Sequence, residues 1–346
     1  MSPVPSLLAV LMLACPLLPV VAPADMHTAD QIQRLPIDPA TGKPFPVYLS
    51  SPSDIGAFRV ACNFAGMNYD DPIVHPGQVG ASHMHTYFGT FANANTTAAN
   101  VRASPWSTCQ GGSINKSAYW IPSLMDGTTP VEPVQMLVYY KGSYFLGGAA
   151  SKNIVPVPAG LRMIGGDAAN TDPAKFNAVA YICYGPQGQN PGWSTTLAGA
   201  YAMGTCQPGG DLVMGVSFPV CWDGVNLDSA THKSHVVDVV QNQQPPFNWL
   251  CPADHPVQLP TISYNVHWTI PDAQAVGRYR LSSDTDPNQV AGTSGHADYL
   301  TGWDTTPRPD LFGTNESVMQ HWVNQCLHGL KDGHAALLCD DVWTLY

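Results

Sequence analysis

The chain carries 32 prolines and 31 glycines among 346 residues, and breakers at that density restrict it to short elements. Proline removes a backbone donor and glycine costs conformational entropy inside a helix, so a long bundle or coiled coil is excluded. Those folds also need abundant Glu, Lys and Arg, whereas only 11% of this chain is charged. Disorder is excluded from the other side, because 45% of the residues are hydrophobic and a chain that apolar can bury a core. A net charge of -11 with only 14 Lys and Arg argues against a nucleic-acid partner, which requires clustered cations. What remains is a turn-rich, aromatic-rich globular protein long enough for a sizeable core.

Five segments are strand-length, rich in β-branched or aromatic residues, and mostly closed by Pro or Gly: Ala57 to Cys62, Val134 to Tyr140, Ala178 to Tyr184, Leu212 to Phe218 and Thr261 to Ile270. One helix is predicted near the C-terminus. Thr314 or Asn315 caps it, Glu316 lies in its first turn and Gly329 stops it. Val318, Met319, Trp322, Val323, Cys326 and Leu330 fall at three- and four-residue spacing. His321 and His328 lie off that stripe and read as solvent-facing. The predicted class is therefore mainly β, either β-sandwich-like or β-rich α+β, with a C-terminal helix and disulfide bracing. Residues 25–55 read as a Pro-rich extended lead-in, and 56–346 as one β-rich domain, since no linker-like composition divides it.

Residues 1–24 read as a signal peptide. Leu7 to Leu13 is a continuous apolar run, and Ala22-Pro23-Ala24 resembles a small-residue cleavage site. Were the chain a bacterial lipoprotein, Cys15 would be the acylated residue, giving a periplasmic or lipid-anchored protein. No later stretch approaches the ~18 apolar residues of a membrane span, so the expectation is a secreted protein without a transmembrane segment. Eight cysteines follow the signal peptide: Cys62, Cys109, Cys183, Cys206, Cys221, Cys251, Cys326 and Cys339. An even count in an exported chain reads as a disulfide framework. Spacing does not fix the connectivity; nearest-neighbour pairing, which closes four moderate loops, is our expectation. None is spaced CxxC, which disfavours a thiolate zinc cluster. Sequons begin at Asn95, Asn115 and Asn315.

Four short motifs could carry chemistry. In His83-Met84-His85-Thr86-Tyr87, an extended chain would project both imidazoles and the phenol to one face, which is half of a metal site. Partly exposed histidines bonded to neighbouring carboxylates would explain the same pair without a metal. Cys221-Trp222-Asp223-Gly224 and His232-Lys233-Ser234-His235 offer Asp223, His232 and His235 as acid–base groups, though Asp223 equally suits an Asx-turn. Cys251-Pro252-Ala253-Asp254-His255-Pro256 reads first as a rigid, disulfide-bound corner. In Gly295-His296-Ala297-Asp298, the histidine and aspartate share a face of an extended chain and supply mixed nitrogen and oxygen ligands or a base with its orienter. Tyr119, Trp120, Trp222 and Trp303 accompany these motifs as candidate platforms for sugar rings, although Trp and Tyr are also ordinary β-fold core residues.

These motifs occur in a fixed order. Asp71-Pro72-Ile73-Val74-His75-Pro76-Gly77 comes first, then His83-Met84-His85 and Ser117-Ala118-Tyr119-Trp120-Ile121-Pro122. Phe218-Pro219-Val220-Cys221-Trp222-Asp223-Gly224, His232-Lys233-Ser234-His235, Cys251 to Pro256 and Gly295 to Asp298 follow. The ordered set resembles the exported family catalogued as domain of unknown function nineteen-ninety-six, found in bacteria and in fungi, sometimes beside WSC carbohydrate-binding modules. The resemblance covers roughly Phe58 to Trp303. It implies an extracellular carbohydrate context and no established activity. Asn115 stands where the family pattern would place an Asp before the Lys-Ser-Ala-Tyr-Trp run.

Two functions follow as expectations. The first is an exported enzyme, a hydrolase or lyase acting on polysaccharide or another cell-surface polymer. If a divalent metal is bound, His83 and His85 would be its first ligands, completed by His232, His235 or the His296/Asp298 pair, with His296 preferred. Asp223, His232, His235 and Asp298 would serve as catalytic groups, acting as general acid and base if no metal is bound. The alternative is a non-catalytic carbohydrate-binding or cell-wall-associated protein. Convergence discriminates between them, because a catalytic or metal site needs the separated motifs within a few ångströms of one another. The absence of a Gly-x-Ser-x-Gly elbow and of HExxH disfavours an α/β-hydrolase and a common zincin.

Overall fold

All five segments read as strands fall in a single sheet. The structure, a computed structural model, describes residues 26–42, 49–143, 145–243, 248–334 and 336–346; residues 1–24, read above as a signal peptide, and Cys15 lie outside the described residues. The first sheet runs, in spatial order, Val179–Tyr184, Asp211–Ser217, Thr261–Thr269, Gln135–Lys141, Ala57–Cys62, Lys331–Asp332 and Ser51–Pro52. Its central pairs are antiparallel. In Gln135–Lys141 the buried residues Met136, Val138 and Tyr140 alternate with partly exposed ones, as in a strand with one buried face.

A second, five-stranded antiparallel sheet lies against the first. Its order is Arg162–Gly166, His296–Leu300, Ala118–Pro122, His85–Gly89 and Phe64–Asn68. Both faces of its inner strands are buried, so they lack the period-2 alternation that marks a strand in sequence. One face meets the first sheet: Tyr119 and Tyr299 approach Tyr264 and Phe218, with Tyr119–Tyr264 ring centroids 5.6 Å apart. The chain is thus mainly β, with two face-to-face sheets. The opposite face of the five-stranded sheet carries Tyr87, Trp120 and Leu300 and packs on a smaller cluster with Ile73, Ala92 and Val101. That outer face positions the candidate site.

The eight cysteines pair as nearest neighbours: Cys62–Cys109, Cys183–Cys206, Cys221–Cys251 and Cys326–Cys339. Four cross-links of this kind belong in an oxidising compartment. The lead-in is docked where it is described, with Ile32–Arg34 pairing antiparallel with Trp343–Leu345. Among the described residues no helix is long and apolar enough to cross a membrane.

The C-terminal helix differs in detail from the sequence expectation. Ser317, rather than Thr314 or Asn315, is the N-cap, its Oγ accepting from Gln320 N. The α-helix Val318–Trp322 continues into a π-helical segment, Val323–His328, which the Cys326–Cys339 bridge holds. His321 is buried rather than solvent-facing, and His328 is half-buried with Nε2 donating to Ile154 O. The reason His321 turns inward is charge. Its Nδ1 and Nε2 each lie 2.9 Å from a carboxylate, Glu316 Oε2 and Asp340 Oδ2, while Phe312 stacks on the ring at 3.8 Å. Burial pushes the imidazole pKa down, but the Asp340 and Glu316 carboxylates outweigh it and hold the value above the ordinary histidine range.

A raised folded-state pKa stabilises the fold fully below about 6.5, the unfolded value, and that stabilisation is lost as pH rises through the folded value. We therefore expect His321→Gln to destabilise the protein by about 3 kcal/mol at pH 6, as removing one partner of a buried charge cluster does. The difference should shrink as pH rises. Denaturant melts of both proteins across pH 6 to 9 check this, and a pH-independent difference would rule out the charged clamp.

Candidate metal centre

His85 begins the His85–Gly89 strand, and Asp298 follows His296 by two residues in His296–Leu300. Period-2 geometry therefore puts His85 and Tyr87 on one face, and likewise His296 and Asp298. The Ala118–Pro122 strand separates the two, with Trp120 registered against both Tyr87 and Asp298 and Pro122 against His85. The compact Pro122 leaves room for His85 and His296 to lean towards each other, their rings 5.8 Å apart. His83, two residues upstream of the strand, closes over them, 4.3 Å from His85 and 5.0 Å from His296 between centroids.

Asp71 arrives from the loop after Phe64–Asn68. Its Oδ1 accepts from the amides of Ile73 and Val74 at 2.8 and 3.0 Å, which fixes the carboxylate in a turn. Two overlapping sets of ligand atoms result, His83/His85/His296 and Asp71/His85/Asp298, the atoms of each set lying within 4.8 Å of one another. His83 is the half-buried member of the five, and the other four are buried.

Backbone carbonyls preset the tautomers. A carbonyl can only accept, so His85 Nδ1 donates to Asp70 O and His296 Nδ1 donates to Ser294 O, both at 2.9 Å. Each ring therefore presents an unprotonated Nε2 to the centre, the arrangement by which proteins orient metal-ligating histidines. His83 Nε2 lies 3.2 Å from His296 Nε2. Two nitrogens sharing a tetrahedral ion at about 2.0–2.1 Å would be roughly 3.3–3.4 Å apart. A proton on His83 Nε2 would satisfy that one contact, but it would leave the rest of the centre unpaired. His85 Nε2 and both oxygens of Asp298 are buried with no hydrogen-bond partner among the described residues. Buried polar atoms are almost always paired, and three orphans on two residues of one cluster call for a group to pair them.

The electrostatics agree. Burial, with the imidazoles of His296 and His75 nearby, pushes His83 down to about 3. Burial and the neighbouring His85 do the same to His296, also to about 3. Burial, then His83, lowers His85 far below the usual range. Burial, reinforced by Asp71, drives the Asp298 carboxyl well above the carboxylate range. Left to itself the pocket thus favours neutral imidazoles and a protonated acid. A bound cation inverts that preference for the carboxylate and requires the imidazoles neutral.

A family model described as a domain of unknown function (DUF1996) matches residues 71–303. The chain belongs to that family. Searches of curated proteins and of solved structures each found no match. The DUF1996 match opens on Asp71 and encloses all five cluster residues, although no spacing rule had singled Asp71 out. Only its place at the head of the first family run hinted at it, because the turn that carries it to His85 is a tertiary feature.

The other candidates of the DUF1996 domain lie elsewhere. Asp223 forms an Asx-turn, Oδ1 accepting from the Val225 and Asn226 amides. His232 Nδ1 sits 2.9 Å from Asp228 Oδ1. His235 is buried with both nitrogens occupied, Nε2 donating to Arg162 O and Nδ1 beside Ser229 Oγ. Between those histidines, Lys233 Nζ donates to Gly166 O, and Gly166 is registered against His296. This segment therefore borders the centre without contributing a ligand. Tyr119, Trp120 and Trp303 are fully buried core residues; Trp303 Nε1 and the Tyr119 hydroxyl both reach Tyr140 OH at 3.0 Å. None can stack on a sugar. Half-buried Trp222 donates from Nε1 to Asn226 O. Asn115, where an Asp was expected, is buried and accepts from the Tyr119 hydroxyl at 3.1 Å, a structural role inside the sandwich.

Proposed function

We propose that the protein is an exported, metal-dependent enzyme that acts on a polysaccharide or another cell-surface polymer. One divalent transition-metal ion would be held by His83, His85 and His296, with Asp71 or Asp298 completing the set. The observation that carries this reading is that His85, its Nε2 unpaired, belongs to both sets of clustered ligand atoms, one with His83 and His296 and one with Asp71 and the unpaired carboxylate of Asp298. Three imidazoles with carboxylate suit zinc, copper, iron or nickel better than calcium or magnesium, which prefer all-oxygen sites.

An ion there would polarise an oxygen of the substrate or lower the pKa of a bound water. Substrate would reach it from the half-buried side at His83. Whichever of Asp71 and Asp298 is not a ligand would move the proton. Export is supported by residues 1–24 and by the four disulfides, and a polymeric carbohydrate substrate by the family's context. The buried positions of Tyr119, Trp120 and Trp303 weigh against a binding face built from those aromatics, and so against the purely non-catalytic reading.

The test joins metal content with turnover. Purified protein should carry about one transition-metal ion per chain by elemental analysis and release soluble fragments from some member of a polysaccharide panel. His83→Ala should lose both. A protein that neither retains nor takes up zinc, copper, manganese or iron would overturn the proposal.

A further inference from the structure

The carbonyls that preset the tautomers of His85 and His296 are themselves held, each by an aspartate outside the ligand sets. Asp70 O takes the proton of His85 Nδ1, and the buried Asp70 carboxylate ties down the chain around it. Its Oδ1 accepts from Gly80 N at 2.7 Å and its Oδ2 from Ala94 N at 3.1 Å, residues 10 and 24 positions away. On one side of the carbonyl, Asp70 N donates to Asn68 Oδ1 at 2.9 Å. On the other, Asp71 O accepts from His75 N at 3.0 Å. The peptide plane that carries Asp70 O is therefore gripped at both ends, and Gly80, three residues before His83, is gripped with it.

Ser294 O takes the proton of His296 Nδ1, and here the anchor is Asp284. Its Oδ1 accepts from Ser294 Oγ at 2.7 Å and from Ser294 N at 3.4 Å, and its Oδ2 from Gly292 N at 2.8 Å. Gly292 O in turn accepts from Gly295 N, so the carboxylate reaches both sides of the Ser294–Gly295 peptide. Ser283 Oγ braces the same serine, 2.7 Å from Ser294 Oγ.

A carboxylate has two accepting oxygens and no donor, so it can fix amides from separate segments at once. The proton on an imidazole is placed by the bond its other nitrogen makes, and the groups behind a ligand's partner govern how well it holds a metal. We propose that Asp70 and Asp284 are positioning residues, each setting one imidazole, His85 or His296, through the carbonyl that accepts its Nδ1 proton. That the rings then serve a metal rests on the function proposed above; that the aspartates set the rings does not.

The experiment is long-range proton–nitrogen NMR at pH 8 on chelator-treated protein labelled with nitrogen-15 histidine, followed by zinc titration. His85→Ala and His296→Ala assign the two rings. In the wild type each ring should show one tautomer, with its proton on Nδ1. Asp70→Ala should mix the tautomers of His85 and leave His296 unchanged, and Asp284→Ala should do the reverse. Each should weaken zinc binding by about 10- to 100-fold. Should an alanine variant fail to fold, Asp70→Asn and Asp284→Asn, which keep one accepting oxygen, read the same ring-specific pattern at smaller amplitude. His321→Gln, destabilised in a different charge cluster, should leave both rings and the zinc affinity unchanged. Both rings changing together in either variant would mean general loosening and overturn the proposal. So would neither ring changing, or zinc bound as tightly by both variants as by the wild type. A wild type that binds no zinc would count against the metal reading instead, while the tautomers still decide what the two aspartates do.

Discussion

Replacing His85 by alanine should strip the protein of its metal while leaving the fold in place. His85 belongs to both sets of converging ligand atoms, so its loss dismantles every three-ligand arrangement the centre offers. Removing a group that merely orients a ligand costs 10- to 100-fold in metal affinity, and loss of a shared ligand should exceed about 100-fold. The fold should survive because His85 contributes one hydrogen bond to Asp70 O, which still accepts from the Tyr87 hydroxyl at 2.7 Å. The removed Nε2 was itself unpaired. His235→Ala is the matched control. It removes an equally buried imidazole whose nitrogens both have partners. It should therefore cost about 1–3 kcal/mol of stability and leave metal stoichiometry unchanged. Elemental analysis with thermal melts of the three proteins decides it. Equal metal loss in both variants would mean that the effect is structural and that His85 is no ligand.

The contrast between those two histidines also shows where the sequence stops being informative. His83-x-His85 and His296-x-Asp298 are readable as same-face pairs because strand geometry has period 2, and they stay together in the fold. That the two pairs meet depends on the strand order, with Ala118–Pro122 between His85–Gly89 and His296–Leu300, strands far apart in the chain, and no local pattern encodes it. His232 and His235 looked as chemical as His83 and His85. Their roles diverge because Ser229, Asp228 and the Arg162 carbonyl occupy the former, while nothing occupies His85 Nε2. His321 failed the helical-stripe argument for a similar reason, since two carboxylates, one of them 19 residues away, make burial favourable for a charged ring. Five strands of the first sheet were legible from their length, their β-branched and aromatic content and their Pro or Gly ends, whereas the second sheet, whose inner strands are buried on both faces, was not. Three of the four aromatics named for their company in motifs, Tyr119, Trp120 and Trp303, are core, and the exposed Trp249 lies outside every motif.

Asp298→Asn should have opposite effects on the metal-free and metal-loaded protein. Without metal, burial and the nearby Asp71 hold the Asp298 pKa well above its unfolded value, which is about 3.9. Between those two values the folded state binds more protons than the unfolded state, so this group makes stability fall as pH rises. The three cluster histidines act in the other direction. Their folded pKa values are depressed, to about 3 for His83 and His296, so they make stability rise with pH until about 6.5, where the unfolded imidazoles finish losing their protons. Above pH 7 that contribution is flat, and the slope of the raised His321 imidazole is common to both proteins and cancels in their comparison. Chelator-treated Asp298→Asn should therefore be more stable than chelator-treated wild type once the Asp298 carboxyl ionises, by on the order of 1–3 kcal/mol, with a shallower decline as pH rises. Adding metal should reverse the order. Ligand binding stabilises the wild type by about 2.7 kcal/mol at 100 times the dissociation constant, and a neutral amide in place of the carboxylate forfeits part of that gain. Melts at pH 7, 8 and 9, with chelator and with saturating zinc, read both signs in one experiment. If the asparagine variant is less stable in both conditions, Asp298 is a packing residue and the cation has no claim on it. A crossover assigns the unpaired carboxylate to the ion.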